Sequence, residues 1–177
     1  MRDFVQRTTD QRDLRMADIK FSGDERESVI KRLEKLKNIK LKPVGRYKKF
    51  LEGSDRLYYC IVGGRDDWHA IPKEVMEQER KYQASVYLVI ARWLKTRIEL
   101  YGGLLELLFE LRDSLSRTEK GDFQFDLGTP TDGILSIKQV SGVKFEKFDE
   151  FPAPSVSLFK TLPQEKQREL LTKAGLK

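Results

Sequence analysis

The sequence predicts an α+β domain with a single, mainly antiparallel sheet built from three hairpins with interspersed helices. Apolar and polar residues alternate over segments of strand length, and turn-forming residues separate those segments. Other segments carry apolar residues at helical spacing. At 177 residues and 39% hydrophobic content, the chain is long enough to bury one core.

Three regions are expected along the chain. Residues 1–20 form a polar arm without apolar periodicity, residues 21–148 form the α+β core domain, and residues 149–177 form a proline-containing connector followed by a short helix. The first helix should run from about residue 24 to residue 38, where Ser22 or Asp24 can cap it. Its apolar stripe consists of Val29, Ile30, Leu33 and Leu36.

The first hairpin is predicted from a strand at residues 41–51, a turn at residues 52–55 and a return strand at residues 57–62. Pro43 and Gly45 place the first of these strands at a sheet edge or a bulge. The return strand is apolar on both faces, which indicates a central position. Residues 63–67 are expected to form a loop, and Pro72 to open a short helix that reaches about residue 82.

Residues 84–101 fit either one long helix or two strands. The continuous β-branched and aromatic run at residues 86–90 favours strands at about 85–93 and 96–101, despite the weak turn between them. Gly102 and Gly103 should end this pairing. A leucine-rich amphipathic helix is then expected over residues 104–117, with this stripe: Leu104, Leu107, Leu108, Leu111 and Leu115.

The third hairpin is predicted around the loop at residues 128–133. Phe123, Phe125 and Leu127 alternate with polar residues before that loop, and an apolar segment follows it. The prolines near residues 149–160 indicate a connector. Thr161 and Gln164 can cap a final helix, which Gly175 ends.

Positive charge is concentrated between Lys31 and Lys49. This basic segment holds nine basic residues and one acidic residue, so its local charge of +8 exceeds the +6 of the whole chain. Such a concentration indicates a surface that faces a polyanion. A solvated helix face and a surface for an acidic protein partner are the alternatives.

Aromatic residues accompany the basic segment, and aromatic rings can stack on unpaired bases while basic groups contact phosphates. We therefore expect a non-catalytic, largely sequence-tolerant nucleic-acid-binding protein or a subunit of a nucleoprotein complex. The pattern fits DNA and RNA, and single and double strands, alike. The candidate contact residues are Lys31, Arg32, Lys35, Lys37, Lys40, Lys42, Arg46, Tyr47, Lys48, Lys49, Tyr58, Trp68, Arg92, Lys95 and Arg97.

Arg92, Lys95 and Arg97, with Lys81, form a second basic group beside Trp93. Consecutive elements usually pack together, so this group should lie on the same molecular face as Arg46 or Lys48 and form one groove with it.

A small metal-dependent nuclease is the first alternative function, and Mg²⁺ is expected as a cofactor only in that case. Asp132 and Lys138 are weak catalytic candidates, because carboxylates hold the metal and a lysine can polarise water. Residues 131–138 faintly resemble the PD-(D/E)xK nuclease pattern, although Ser136 stands where the second acid belongs. Asp67 and His69 are the other candidates, since a histidine can act as a general base. Packing and turn formation are the commoner roles for that loop.

A protein-interaction subunit of a mobile-element or host–virus conflict system is the second alternative. The arm, the connector and the leucine-rich segment motivate it. The sequence shows no apolar run of membrane-spanning or signal-peptide length, and the lone Cys60 lies among apolar residues. These features favour the cytoplasm, where a single buried thiol stays reduced.

Overall fold

The computed structural model describes residues 23–64, 67–76, 85–94, 96–153 and 163–173. It confirms the predicted fold class: the chain is α+β, with a seven-stranded, mostly antiparallel sheet and a smaller sheet of three strands. The predicted arm at residues 1–20 lies outside the described residues, and so does Ser22, one of the two predicted caps of the first helix. The other predicted cap, Asp24, lies inside that helix, which begins at Gly23.

Three helices, a 3-10 turn and ten strands are named here in chain order. They are α1 (Gly23–Lys37), β1 (Leu41–Val44), β2 (Tyr47–Gly53), β3 (Tyr58–Gly64), β4 (Trp68–Ile71), β5 (Val86–Trp93), β6 (Arg97–Leu104), α2 (Glu106–Glu110), the 3-10 turn (Arg112–Ser114), β7 (Ser116–Arg117), β8 (Phe123–Asp126), β9 (Ile134–Ile137), β10 (Val140–Pro152) and α3 (Gln164–Lys173). Residues 73–76 are also helical.

The large sheet has the strand order β1-β2-β3-β5-β6-β10-β9. Its described neighbours are antiparallel except β3 and β5, which run parallel from Tyr58 beside Val86 to Gly64 beside Arg92. A parallel pair needs a long connection, and here it includes β4 and the helical residues 73–76. The small sheet has the order β4-β8-β7.

Both faces of the large sheet are covered. On β5, Val86, Leu88 and Ile90 join one buried cluster, which also contains apolar residues of the small sheet. Val89, Ala91 and Trp93 alternate with them and join a second cluster beneath α1, together with Val29 and Leu33. The large sheet is therefore the middle layer, between α1 and the small sheet.

Several predicted elements are confirmed. Helix α1 covers the expected range and buries Val29 and Leu33 of the predicted stripe, while Leu36 stays exposed. Strand β3 is central and buried on both faces. The described residues between 85 and 101 form the two antiparallel strands β5 and β6 rather than a helix, because a run rich in β-branched residues packs well on a pleated surface.

The predicted strand at residues 41–51 is wrong in one respect, because it is two strands. Gly45 has a φ of +58°, a left-handed conformation that glycine adopts without steric cost, and it reverses the chain between β1 and β2. The predicted edge position holds for β1, which carries Pro43 at the end of the large sheet. The segment after the predicted loop at 63–67 is also extended, as β4.

The prediction that Gly102 and Gly103 end the second strand pair is wrong. Strand β6 continues to Leu104, and the bare backbone at Gly102 lies against the ring of Tyr87. The leucine-rich helix is also shorter than predicted: α2 ends at Glu110, and a 3-10 turn follows. Of the predicted stripe, Leu108 and Leu115 are buried, whereas Leu104, Leu107 and Leu111 are exposed.

The third hairpin is not formed as predicted. Strand β8 pairs with β4 and β7 in the small sheet, whereas β9 pairs with β10 in the large one. An isolated bridge between Leu127 and Ile137 links the two segments. Residues 149–152, at the start of the predicted connector, belong to β10 and pair with β6. Helix α3 lies in the expected place, and Thr161 and Gly175 lie outside the described residues.

Candidate functional site

The basic segment spans α1, β1 and the first half of β2. Four of its cations bind a carboxylate or a backbone oxygen within the molecule. Lys31 Nζ lies 2.7 Å from Glu27, one helical turn away, and Lys40 Nζ lies 3.8 Å from Glu34. Arg32 donates two hydrogen bonds, of 2.6 and 2.9 Å, to Asp149 on β10.

Lys49 is the fourth of these cations, and it is part-buried. Its ammonium group donates a 3.0 Å hydrogen bond to the carbonyl oxygen of Ala70 on β4. Removal from water lowers the pKa of Lys49. Lys49 therefore links the two sheets rather than facing a partner.

The remaining basic residues are exposed. Lys42 lies opposite Glu52 in the β1–β2 pair, so a carboxylate accompanies it. Lys35, Lys37, Arg46 and Lys48 are exposed and make no ion pair with a carboxylate of the described residues. These four exposed cations lie on the second half of α1 and at the β1–β2 turn.

The aromatic residues predicted for stacking differ in their availability. Tyr47 and Tyr58 pack against the core cluster, and the ring of Tyr58 stacks on Phe50 with centroids 5.4 Å apart. Arg46 lies 5.6 Å from the ring of Tyr47. Trp68 is 50% exposed and lies in the small sheet. Of the three, Trp68 is the most open to a ligand.

The second basic group is engaged in a compact ion network. Arg97 lies 3.2 Å from Glu99 and 3.7 Å from Glu150, and Arg92 lies 3.9 Å from both Glu99 and Asp67. Lys147 joins it through Glu99, at 3.2 Å, and through Glu150. Three cations and three carboxylates thus face one another, which leaves little net charge. Lys81 and Lys95 lie outside the described residues.

Glu99 is buried at the centre of this network. Burial acts to raise its pKa, but hydrogen bonds from Tyr101, Lys147 and Arg97 outweigh burial and lower it. Burial and the bond to Glu99 raise the pKa of Tyr101 to about 12. Both groups therefore keep their ordinary charge near neutral pH, and the network is suited to joining β5, β6 and β10.

The strand directions place both basic groups at the same end of the large sheet. The β1–β2 turn with Arg46, the last residues of β5 and the first of β6 all lie at this end. Strands β3 and β5 separate β2 from β6, so these backbones are roughly 14 Å apart at ordinary strand spacing. The prediction of one continuous groove stays a prediction. The charge of Arg97, which would form one wall of it, is already compensated by the carboxylates of Glu99 and Glu150.

The candidate catalytic residues lie in separate surroundings. His69 on β4 is buried, and its Nε2 atom has no hydrogen-bond partner among the described residues. Burial, with a smaller effect from Lys49, lowers the pKa of His69 to about 4. Asp67 is exposed beside Arg92.

The acidic residues around the predicted third hairpin are used in turns. Gln139 donates a 2.6 Å hydrogen bond to Asp126 and accepts one from the Asp126 backbone, which fixes the β9–β10 turn to β8. Asp132 is an exposed turn residue with a φ of +51°, and Lys138 is exposed in the next turn. Within the described ranges, no three His, Cys, Asp or Glu side chains lie close enough to hold a metal ion.

Sequence reasoning missed an aromatic pair in which Tyr87 is half-buried and Phe148 is 37% exposed. Tyr87 on β5 and Phe148 on β10 lie on the face of the large sheet that α1 covers in part, with ring centroids 6.5 Å apart. Lys37 Nζ lies 5.1 Å from the Tyr87 centroid. The alternation on β5 indicated this position, since Tyr87 and Trp93 are the aromatic residues on the α1 side of that strand and Trp93 is buried.

Comparisons with protein-family models, with curated proteins and with solved structures found no match for this chain. None of the helices in the described residues has both the length and the apolar content that crossing a membrane requires.

Proposed function

We propose that this protein binds nucleic acid with little sequence selectivity, and that Lys35, Lys37, Arg46 and Lys48 contact the phosphates. The observation that carries the proposal is the division of the basic segment. Most of its other cations bind carboxylates or backbone within the molecule, whereas these four stay exposed without an ion pair to the described residues. Exposed cations without counter-charges are available to a polyanion.

The chemistry of these groups supports sequence tolerance. A lysine ammonium is a flexible point charge, and phosphate contacts position a protein on nucleic acid without reading its bases. Helix α1 also buries one face against the sheet through Val29 and Leu33. Each neutralised phosphate releases counterions, so the affinity should fall steeply as salt rises.

Fluorescence anisotropy with a labelled oligonucleotide at two salt concentrations tests the proposal. The test variant is Arg46→Glu with Lys48→Glu. Its control is Lys120→Glu with Lys144→Glu, which changes the net charge equally at two exposed lysines outside the basic segment. The test variant should bind more weakly. For a single strand, the slope of log affinity against log salt concentration should be less steep by about 1.4, which is about 0.7 for each of the two lost phosphate contacts.

Two results would contradict the proposal. One is the absence of measurable binding by the unmodified protein to both single-stranded and duplex probes at low salt. The other is an equal loss of affinity in the test and control variants, because a general charge effect would then explain it without a site in the basic segment.

A protein-interaction subunit is the second candidate function. It is supported by Leu104, Leu107 and Leu111, which are exposed at the end of β6, on α2 and directly after α2. Exposed apolar groups of this kind often mark contact surfaces. Light scattering should then show self-association that Leu107→Gln with Leu111→Gln abolishes. If the protein stays monomeric at all concentrations, the exposed leucines do not form a surface for self-association, and this candidate function loses its support.

The proposed cytoplasmic location is supported by Cys60. This free thiol is fully buried, and burial raises its pKa to about 12. A thiol of this kind is inert and suits a reducing compartment.

A further inference from the structure

An aromatic platform lies on the α1 side of the large sheet, beyond the C-terminal end of that helix. Tyr87 is at its centre. The Tyr87 ring lies 6.2 Å from the ring of Tyr59 and 6.5 Å from that of Phe148, each at an interplanar angle of 65°. Leu104 is the cross-strand partner of Tyr87 on β6.

The backbone of β6 explains why the Tyr87 ring lies along the sheet. A Cβ atom at position 102 would collide with the Tyr87 hydroxyl oxygen and lie 2.6 Å from a ring carbon. Glycine at this position therefore leaves room for the ring to lie across the strand towards Phe148. Phe148 is 37% exposed and Leu104 is 42% exposed, so this end of the sheet face is open to solvent.

Positive charge adjoins the platform. Helix α1 ends at Lys37, whose ammonium group lies 5.1 Å from the Tyr87 ring and 5.9 Å from the Tyr59 ring. Lys40 follows on the segment that leads into β1, but Glu34 lies 3.8 Å from its ammonium group and already compensates its charge. Glu146 is the acidic neighbour of Tyr87. A ligand bound to the Tyr87 ring would therefore also contact Lys37, which belongs to the basic segment.

Building on the proposed function, we infer that Tyr87 and Phe148 stack on unpaired bases and that the ligand is single-stranded nucleic acid. Rings combined with basic groups that follow the backbone are the usual means of holding single strands. In a duplex, neighbouring base pairs cover the faces of each base, so the platform cannot reach them. The ammonium group of Lys37 then contacts a phosphate of the same strand. Trp68, by contrast, lies in the small sheet.

The experiment compares a single-stranded probe of about 12 nucleotides that contains 2-aminopurine with its duplex form. The unmodified protein should prefer the single strand and quench the 2-aminopurine fluorescence by stacking. Phe148→Leu keeps an apolar side chain but removes the ring, and it should lower single-strand affinity roughly 5-fold to 150-fold. Duplex affinity should stay within about twofold, because phosphate contacts alone hold the duplex.

Two further variants sharpen the result. Tyr87→Leu should act like Phe148→Leu, and the exposed position of Phe148 protects the conclusion if loss of the more deeply packed Tyr87 destabilises the fold. Leu111→Ala is the matched control, because it removes an apolar side chain outside the platform that is 36% exposed, as against 37% for Phe148. It should leave single-strand affinity unchanged.

The outcomes separate the two proposals. If Phe148→Leu binds the single strand as the unmodified protein does while Arg46→Glu with Lys48→Glu weakens binding, the platform is wrong and the proposed function stands. Equal affinity for single strands and duplexes also overturns the platform, as does a dimer in light scattering that Phe148→Leu dissociates. If neither probe binds the unmodified protein, the proposed function fails, and the platform fails with it.

Discussion

Acid should destabilise this protein through His69, and the variant that tests this is His69→Leu. His69 is 6% exposed on β4, its ring lies 6.1 Å from that of Phe125, and its Nε2 has no hydrogen-bond partner among the described residues. A proton on the ring would place a charge in this apolar site, near the ammonium group of Lys49. Burial and Lys49 accordingly lower the pKa of His69 from 6.5 to about 4.

The magnitude follows from the difference in pKa between the folded and unfolded chain. The folded state keeps His69 neutral. The contribution of His69 to the free energy of unfolding is therefore complete above pH 6.5 and is lost as the pH falls towards 4. Each pKa unit is worth about 1.4 kcal/mol, so the full loss approaches about 3 kcal/mol. Between pH 7 and pH 5 the free energy of unfolding should fall by about 2 kcal/mol from this group.

Urea denaturation at several pH values between 7 and 4.5 measures this loss. Carboxylates also lose their native interactions in acid, so the informative quantity is the difference between the unmodified protein and His69→Leu. The variant replaces the imidazole with an apolar side chain of similar size, which cannot take up the proton. Parallel stability curves for the two proteins across this range would refute the reasoning, because His69 would then titrate alike in the folded and unfolded chain.

Two further substitutions test contacts of the large sheet by urea denaturation. Arg32→Met removes the paired hydrogen bonds to Asp149 and should lower the free energy of unfolding by about 1 kcal/mol, given the partial exposure of Arg32. The difference should shrink in acid, because Arg32 lowers the pKa of Asp149 and the bond is lost when that carboxylate takes up a proton. Gly102→Ala would place a methyl group against the Tyr87 ring and should cost about 1 to 3 kcal/mol. Unchanged stability in either variant would contradict the packing described for it.

The parts of the fold that the sequence predicted correctly are those governed by local patterns. Residues 86–90 are β-branched, aromatic or aliphatic without interruption, and a doubly buried strand needs such a run. Helix α1 shows its apolar residues at helical spacing within one short segment. In both cases the residues that determine the structure are neighbours in the chain.

The errors arose where a distant partner decides the structure. The alternation at residues 123–127 predicts a strand correctly, but it does not contain the information that β8 pairs with β4 rather than with β9. The spacing of the leucines likewise predicts a helix at residues 104–117. The chain leaves the helix at Glu110, and Leu107 and Leu111 then lack a layer to pack against.

The candidate site shows the same division. The concentration of charge between Lys31 and Lys49 is visible in the sequence, but the partner of Arg32 lies 117 residues away on β10. Lys49 is removed from the surface by a backbone carbonyl, an acceptor that every residue carries and that no sequence pattern marks. Tyr87 and Phe148 are 61 positions apart, so only the order of β5, β6 and β10 brings them together.

The hydrogen bonds between Arg32 and Asp149 have a consequence for synthesis of the chain. Helix α1 emerges from a ribosome before the strands of both sheets, whereas β10 follows all the other named strands. Asp149 on β10 carries the carboxylate that anchors α1, and β10 also pairs with β6. Contacts between such distant residues form slowly, because a long loop must close first. Until then, the apolar residues of β6 that face α1 have no complete cover. A nascent chain interrupted before residue 149 would therefore expose apolar surface that promotes aggregation, and it would depend on chaperones.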